Sequence, residues 1–164
     1  AVAVFGIPAF LVLLHLFCLI VMSVDPKMKN IGRKPLGLIF WICPSISLIT
    51  GAVIYARALN VEVDVGLICQ LFLGVLFIAI GNYLPKCRQN YSFGIKVPWT
   101  LDDPENWSRT HRLAGWCFIV TGVLTMAISF LRLPWLFFSL VIASVLMPFF
   151  YSYLYYRKKK SGRL

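Results

Sequence analysis

Acidic residues are scarce in this chain: only 6 of its 164 residues are Asp or Glu, and charged residues of both signs make up 13%. Soluble domains carry about 25% charged and roughly 45–50% apolar residues, whereas 60% of this sequence is hydrophobic and its mean hydropathy is +0.81. The composition excludes an ordinary cytosolic globule and a disordered chain. It also excludes direct nucleic-acid binding, which the net charge of +10 would suggest in a soluble protein. We predict an integral membrane protein.

Recognisable catalytic and metal-binding motifs are also missing. The sequence contains no GxSxG, HExxH or P-loop, and its five cysteines are scattered without a CxxC pair. Cys87, His111 and Cys117 fit no common zinc spacing. We therefore predict no enzyme active site, no metal and no cofactor, and we expect the thiols to be reduced.

Five apolar segments are long enough to cross a bilayer as helices. They contain no Asp, Glu or Lys, which argues against a coupled transporter because ion pathways need charged groups. We predict an all-α, polytopic transmembrane bundle that forms one domain over residues 1–164, with spans at Val4–Val24, Leu36–Leu59, Val65–Leu84, Leu113–Leu131 and Pro134–Tyr156. Gly66, Gly74 and Gly81 in the third span predict close helix packing.

The basic residues predict the orientation. Fourteen of the sixteen Lys and Arg follow the first, third and fifth spans, and only Arg57 and Arg132 lie on the other side. The positive-inside rule then places the N-terminus outside and the C-terminus in the cytoplasm. The basic tail at residues 157–163 is first a topology anchor, and binding of anionic lipid is its second interpretation.

One long polar connection, residues 82–112, lies on the predicted cytoplasmic side. Pro85, Gly94 and Pro98 prevent a regular helix in its first half. Aromatic residues alternate there with Lys and Arg, a mixture typical of the headgroup level. We therefore expect an interfacial loop.

The second half of this connection predicts a stem helix. Asp103 is a good N-cap, and Pro104 and Glu105 suit the first turn. The helix should run from Pro104 to Leu131, because no breaker intervenes. Trp107 and His111 then share one face. Either they dock the stem onto headgroups or neighbouring helices, or they form a binding face for a cytosolic partner.

The stretch Gly81–Trp116 resembles the hallmark loop of the SdpI family of bacterial membrane proteins. The matching residues are Gly81, Asn82, Pro85, Lys86, Arg88, Asn90, Gly94, Ile95, Lys96, Pro98, Trp99, Thr100 and Leu101, followed by Trp107, Thr110, His111 and Arg112. A match at so many positions of a non-repetitive loop does not arise by chance. Most of them are the candidate motif or partner-binding residues: Asn82, Pro85, Arg88, Asn90, Gly94, Lys96, Pro98, Trp99, Thr100, Trp107, His111 and Arg112.

The resemblance implies a multi-pass protein of the bacterial cytoplasmic membrane. It implies immunity to a secreted peptide toxin, and signalling in which a cytosolic ArsR-like repressor is recruited to the membrane. Family members usually carry a further N-terminal span, and this chain begins with Ala rather than Met. We therefore expect that upstream residues exist.

A second hypothesis is a lipid-binding protein or a membrane enzyme that uses the same loop on phospholipid headgroups. Arg88, Lys96 and Arg112 would bind phosphate, and His111 would act as general acid or base. The absence of a second catalytic partner counts against an enzyme, since the nearby acids, Asp102, Asp103 and Glu105, are placed as helix-start residues.

Overall fold

A computed structural model describes residues 2–131 and 133–162, and within these ranges the regular structure is helical without strands. The six α-helices are α1 (Ile7–Ser23), α2 (Arg33–Ala58), α3 (Val65–Tyr83), α4 (Pro98–Leu101), α5 (Pro104–Ile128) and α6 (Pro134–Lys160). A π-helical turn, Val2–Gly6, precedes α1. Short 3₁₀ segments occupy Met28–Asn30, Leu84–Lys86 and Ser129–Leu131.

Five of these helices, α1, α2, α3, α5 and α6, are long and apolar enough to cross a membrane. This confirms the prediction of an all-α fold with five membrane-spanning helices, and α5 with its 3₁₀ extension confirms the predicted stem helix. The observed helices run further than the apolar segments: α2 begins at Arg33 and α6 continues to Lys160. Basic side chains stabilise the negative C-terminal end of α6. Arg132, Arg163 and Leu164 lie outside the described residues.

The centre of the fold is an antiparallel contact between α3 and α5 that is built on glycine. A Cβ added to Gly122 would lie 2.5 Å from the carbonyl oxygen of Gly74, and one added to Gly115 would lie 2.7 Å from that of Gly81. The two backbones touch because these residues have no side chain. The packing role predicted for Gly74 and Gly81 is confirmed. Gly66 is exposed, with only Asp64 near its Cβ position, so its predicted packing role is wrong.

The remaining spans pack around this pair. α6 packs along α5, whereas α1 packs mainly against α2, which makes only a limited contact with α3. Phe10, Leu13 and Phe17 of α1 are mostly exposed. Such side chains suit contact with lipid, where an apolar surface carries no penalty.

Gly122→Ala should destabilise the protein. The new methyl group would collide with backbone atoms of Gly74 and Ile78, which cannot move aside as a flexible side chain can. We expect a loss of roughly 1–3 kcal/mol, seen as a lower midpoint of thermal unfolding in detergent. The matched control is Gly37→Ala, because no atom lies within 4 Å of that added methyl group. Equal midpoints for the two variants would contradict the glycine contact.

Candidate functional site in the loop between α3 and α5

The α3–α5 loop (residues 84–103) is an irregular backbone segment held by buried polar side chains. Non-helical backbone at the end of membrane helices needs partners for its N–H and C=O groups. Four side chains that supply them are at most 1% exposed: Asn90, Thr100, Asn106 and His111. Thr110 is also fully buried and donates to the side chain of Asn106. Their contacts determine what the loop can do.

His111 of α5 fixes the middle of the loop. Its Nε2 accepts a hydrogen bond from the N–H of Ile95 at 3.0 Å, and its Nδ1 lies 2.8 Å from the carbonyl oxygen of Trp107. The acceptor role of Nε2 requires the hydrogen on Nδ1, so this geometry holds the ring in its neutral form. The backbone of Gly94 passes the edge of the His111 ring and has a φ of +118°. A Cβ added at Gly94 would overlap His111 Nε2. Only glycine fits there.

Trp107 lies one turn before His111 and stacks on its ring, with 3.9 Å between centroids. The indole Nε1 donates to the carbonyl oxygen of Cys87 at 2.8 Å. The predicted common face is confirmed, and burial of both rings favours docking over a binding face for a partner. Burial also raises the pKa of the Cys87 thiol to about 11, so the thiol is neutral and a poor nucleophile.

Asn90 shapes the first turn of the loop. Its Oδ1 accepts from the N–H groups of Ser92 at 3.0 Å and Phe93 at 2.6 Å, and its Nδ2 donates to the carbonyl oxygen of Arg88 at 2.8 Å. This is an Asx-type turn, in which a side-chain amide replaces a backbone partner. Asn90 is therefore a structural residue of the loop.

Thr100 and Gln89 hold the short helix α4, whose first residue is Pro98. Thr100 Oγ1 donates to the carbonyl oxygen of Ile95 at 2.8 Å and accepts from the N–H of Val97 at 3.2 Å. Gln89 Nε2 donates to the last carbonyl groups of α4, at 2.9 and 3.1 Å. Backbone polar groups at both ends of α4 thereby have hydrogen-bond partners.

Trp99 of the loop and Asn106 at the start of α5 attach this region to α6. Trp99 Nε1 donates to Ser152 Oγ at 3.0 Å, and its half-buried ring packs against three aromatic rings of α6, those of Phe149, Tyr153 and Tyr156. Asn106 Nδ2 donates to the backbone carbonyl of Ser152 at 3.1 Å. Asn106 Oδ1 accepts from Thr110 Oγ1 at 3.0 Å. Ser152 is thus the point on α6 where both attachments meet.

Asp25, in the connection between α1 and α2, ties that hairpin to the same loop. Its Oδ2 accepts from Ser92 Oγ at 2.5 Å and from the N–H of Tyr91 at 3.0 Å, and its Oδ1 accepts from the N–H of Lys27 at 2.8 Å. Asn30 Nδ2 also donates a hydrogen bond to the carbonyl oxygen of Gln89 at 2.6 Å. Partial burial raises the pKa of Asp25, but the hydrogen bonds outweigh it and the pKa lies below the usual 3.8.

The other predicted residues are exposed: Asn82, Pro85, Arg88, Lys96, Pro98 and Arg112. Lys96 Nζ donates to the carbonyl oxygen of Tyr91 at 2.8 Å. Pro85 packs against α5 at Gly115. The side chains of Arg88 and Arg112 form no hydrogen bond or ion pair within the part of the chain that the structure describes.

The start of α5 agrees with the prediction. Asp103 accepts from the N–H of Glu105 at 3.0 Å, and Glu105 pairs with Arg109 at 3.0 Å. Asp103 also pairs with Lys159 of α6 at 2.7 Å. Burial raises the pKa of Asp103. The bonds from Lys159 and the backbone lower it by more, so the net pKa is below 3.8.

Comparison with known proteins matches the same segment. The model of the SdpI/YfhL protein family matches residues 86–152, which hold most of the α3–α5 loop, all of α5 and α6 as far as Ser152. The chain is therefore similar to the SdpI/YfhL protein family over this segment. It is similar to Immunity protein SdpI of Bacillus subtilis (strain 168), with 30% identity over 109 residues, which are 65% of this chain and 53% of that relative. The chain therefore spans about half the length of this curated relative. No solved structure matches it.

Sequence reasoning missed four residues that hold the α3–α5 loop: Asp25, Gln89, Asn106 and Ser152. Two signals were available. Asp25 is the one acidic residue in a connection rich in lysine, and Asn106 precedes Thr110 by one helical turn. Gln89 and Ser152 gave no signal, because their partners are distant in sequence.

Asp103→Ala should loosen the first turn of α5. The free N–H groups of that turn lose their acceptor, at a cost of about 1 kcal/mol, and Lys159 loses its partner. Hydrogen exchange should be faster at residues 105–107 and unchanged in the rest of α5. Asp102→Ala is the matched control, because that neighbouring carboxylate is exposed and outside the cap. Similar exchange in both variants would show that Asp103 is not the cap.

The bonds of Asp25 to the loop should weaken in acid. A lowered pKa means that the stabilisation is complete above the ordinary Asp value of 3.8 and is lost as the pH falls through the lower pKa of the folded state. Amide protection at Tyr91 and Ser92, corrected for intrinsic exchange, should decrease between neutral pH and about pH 3.

Asp25→Asn provides the comparison. It should lower this protection already at neutral pH and remove most of its acid dependence. Glu62→Gln, a change at an exposed carboxylate, should behave as the unchanged protein does. Acid-independent protection of Tyr91 in the unchanged protein would contradict the role of Asp25.

Proposed function

We propose that this chain is a bacterial membrane immunity protein. The protein gives resistance to a secreted peptide toxin, and it signals by recruiting a cytosolic ArsR-like repressor to the membrane. The observation that carries the proposal is the α3–α5 loop, a rigid hydrogen-bonded platform within the segment that matches the SdpI/YfhL family. The name of the Bacillus relative supports the immunity function.

The chemistry of the loop supports a non-enzymatic protein. A general acid or base must reach its substrate, but His111 is 1% exposed and both of its nitrogens have backbone partners. Cys87 is also buried, and its thiol is neutral. Asp103 is held as a helix cap. The geometry therefore favours binding and signalling over catalysis.

The connection through Asp25 supports signalling between the two membrane faces. The α1–α2 hairpin contacts the bundle sparingly along its length, yet Asp25 and Asn30 bind it to the α3–α5 loop. A displacement of the hairpin by a toxin would thus act directly on the loop. We assign the loop to the cytoplasmic side, in keeping with the distribution of Lys and Arg.

This orientation predicts the result of reporter fusions. A reporter fused after Leu164 should be active in the cytoplasm, and one inserted at Val61 should report from outside, because fourteen of the sixteen basic residues lie on the C-terminal side of the membrane. Reporters at both positions on the same side would overturn the assignment.

The immunity function predicts rescue of toxin-sensitive cells. Bacillus subtilis lacking Immunity protein SdpI should regain growth in a toxin-secreting culture when it expresses this chain. A second arm of the experiment exposes the same cells to any secreted peptide encoded beside the gene for this chain and measures their growth. No protection in either arm, with the protein present in the membrane, would contradict the proposal.

Arg112 provides the test of signalling in the same cells. Its exposed guanidinium has no partner in the described structure, so Arg112→Gln should abolish recruitment of the repressor without reducing the amount of protein. The matched control is Arg157→Gln at the exposed end of α6. Trp99→Phe should instead lower the protein level, because the ring loses its bond to Ser152.

A further inference from the structure

A polar groove lies beside the α3–α5 loop, where two spans end. Its volume is about 410 Å³, and its walls include Asn30, Lys86, Arg88, Gln89, Trp107 and Ser108. The third span ends at Lys86 and the fourth begins at Pro104. The groove therefore opens at the depth where helices leave the bilayer and headgroups lie.

The charged side chains that line the groove are all positive. Arg88 and Lys86 are exposed cations, and none of the described residues that line the groove is Asp or Glu. The Arg88 guanidinium has no bond or ion pair in the described structure. Lys86 Nζ donates to Asn82 Oδ1 at 3.1 Å and lies 5.1 Å from the centre of the Tyr83 ring. These contacts position the ammonium group and leave it two further hydrogens.

The walls of the groove are fixed before any ligand binds. Trp107 Nε1 holds the carbonyl group of Cys87, and Asn30 Nδ2 holds that of Gln89 at 2.6 Å. The side chain of Gln89 is in turn bonded to α4. A prearranged wall lowers the entropic cost of binding.

We propose that this groove binds the phosphate group of an anionic phospholipid headgroup. Guanidinium groups match phosphate oxygens with paired hydrogen bonds, the exposed Ser108 hydroxyl adds a donor, and basic pockets between membrane helices are typical headgroup sites. The volume lies within the roughly 300–1,000 Å³ of small-molecule sites. The site differs from the Arg88, Lys96 and Arg112 set of the lipid hypothesis, since Lys96 and Arg112 do not line the groove. It does not depend on the immunity function.

Native mass spectrometry of the detergent-purified chain tests this site, with phosphatidylglycerol and phosphatidylcholine as probes. Phosphatidylglycerol should bind more tightly. The double variant Lys86→Gln, Arg88→Gln should weaken phosphatidylglycerol binding by about tenfold or more and leave phosphatidylcholine unchanged. Both side chains are exposed, so folding should be intact by circular dichroism. Lys34→Gln, a change at an exposed cation outside the groove, should bind as the unchanged chain does.

The source of the phosphate is distinguished by competition and by a conservative variant. Inorganic phosphate at millimolar concentration should displace phosphatidylglycerol only weakly, and Arg88→Lys should retain part of the affinity because the charge remains. Tight binding of inorganic phosphate without phosphatidylglycerol would assign the groove to a soluble phosphate and overturn the lipid proposal. Unchanged phosphatidylglycerol affinity in the double variant would overturn the site itself.

Discussion

The pair of hydrogen bonds made by the His111 ring is the interaction on which the loop depends. One nitrogen accepts from Ile95 and the other donates to Trp107, so a single buried side chain joins the loop to α5. Gly94 must be glycine for the chain to pass that ring, and Trp107 must stack on it to reach Cys87. A residue type often associated with catalysis is here a structural connector.

The loop and the helix bundle depend on each other. The glycine contact between α3 and α5 brings the ends of the two helices together, and the loop between them packs against α6 through Trp99. Asn106 and Trp99 then meet at Ser152. The candidate site is thus the place where three spans are joined, which explains why its buried residues are polar although the protein is mostly apolar.

The fold was largely predictable because helix length, hydropathy and capping act locally. The stem helix from Asp103 onward needed only three adjacent residues to be recognised. The contacts of the site were less predictable, because they depend on tertiary geometry. Nothing near Ser152 in the sequence indicates two partners on another helix, and Asp25 lies far along the chain from Ser92. The family pattern identified residues such as Asn90 without distinguishing the buried framework from exposed groups such as Arg112.

The antiparallel glycine contact also limits how the chain can tolerate insertions. Gly115 and Gly122 face the same side of α5 because they are two turns apart, and each meets one glycine of α3. One extra residue between them would rotate the second glycine by about 100° around the helix axis. A side chain would then stand where two backbones now touch. An inserted residue should therefore disturb the fold less in connections outside this pair, such as the exposed residues between α2 and α3.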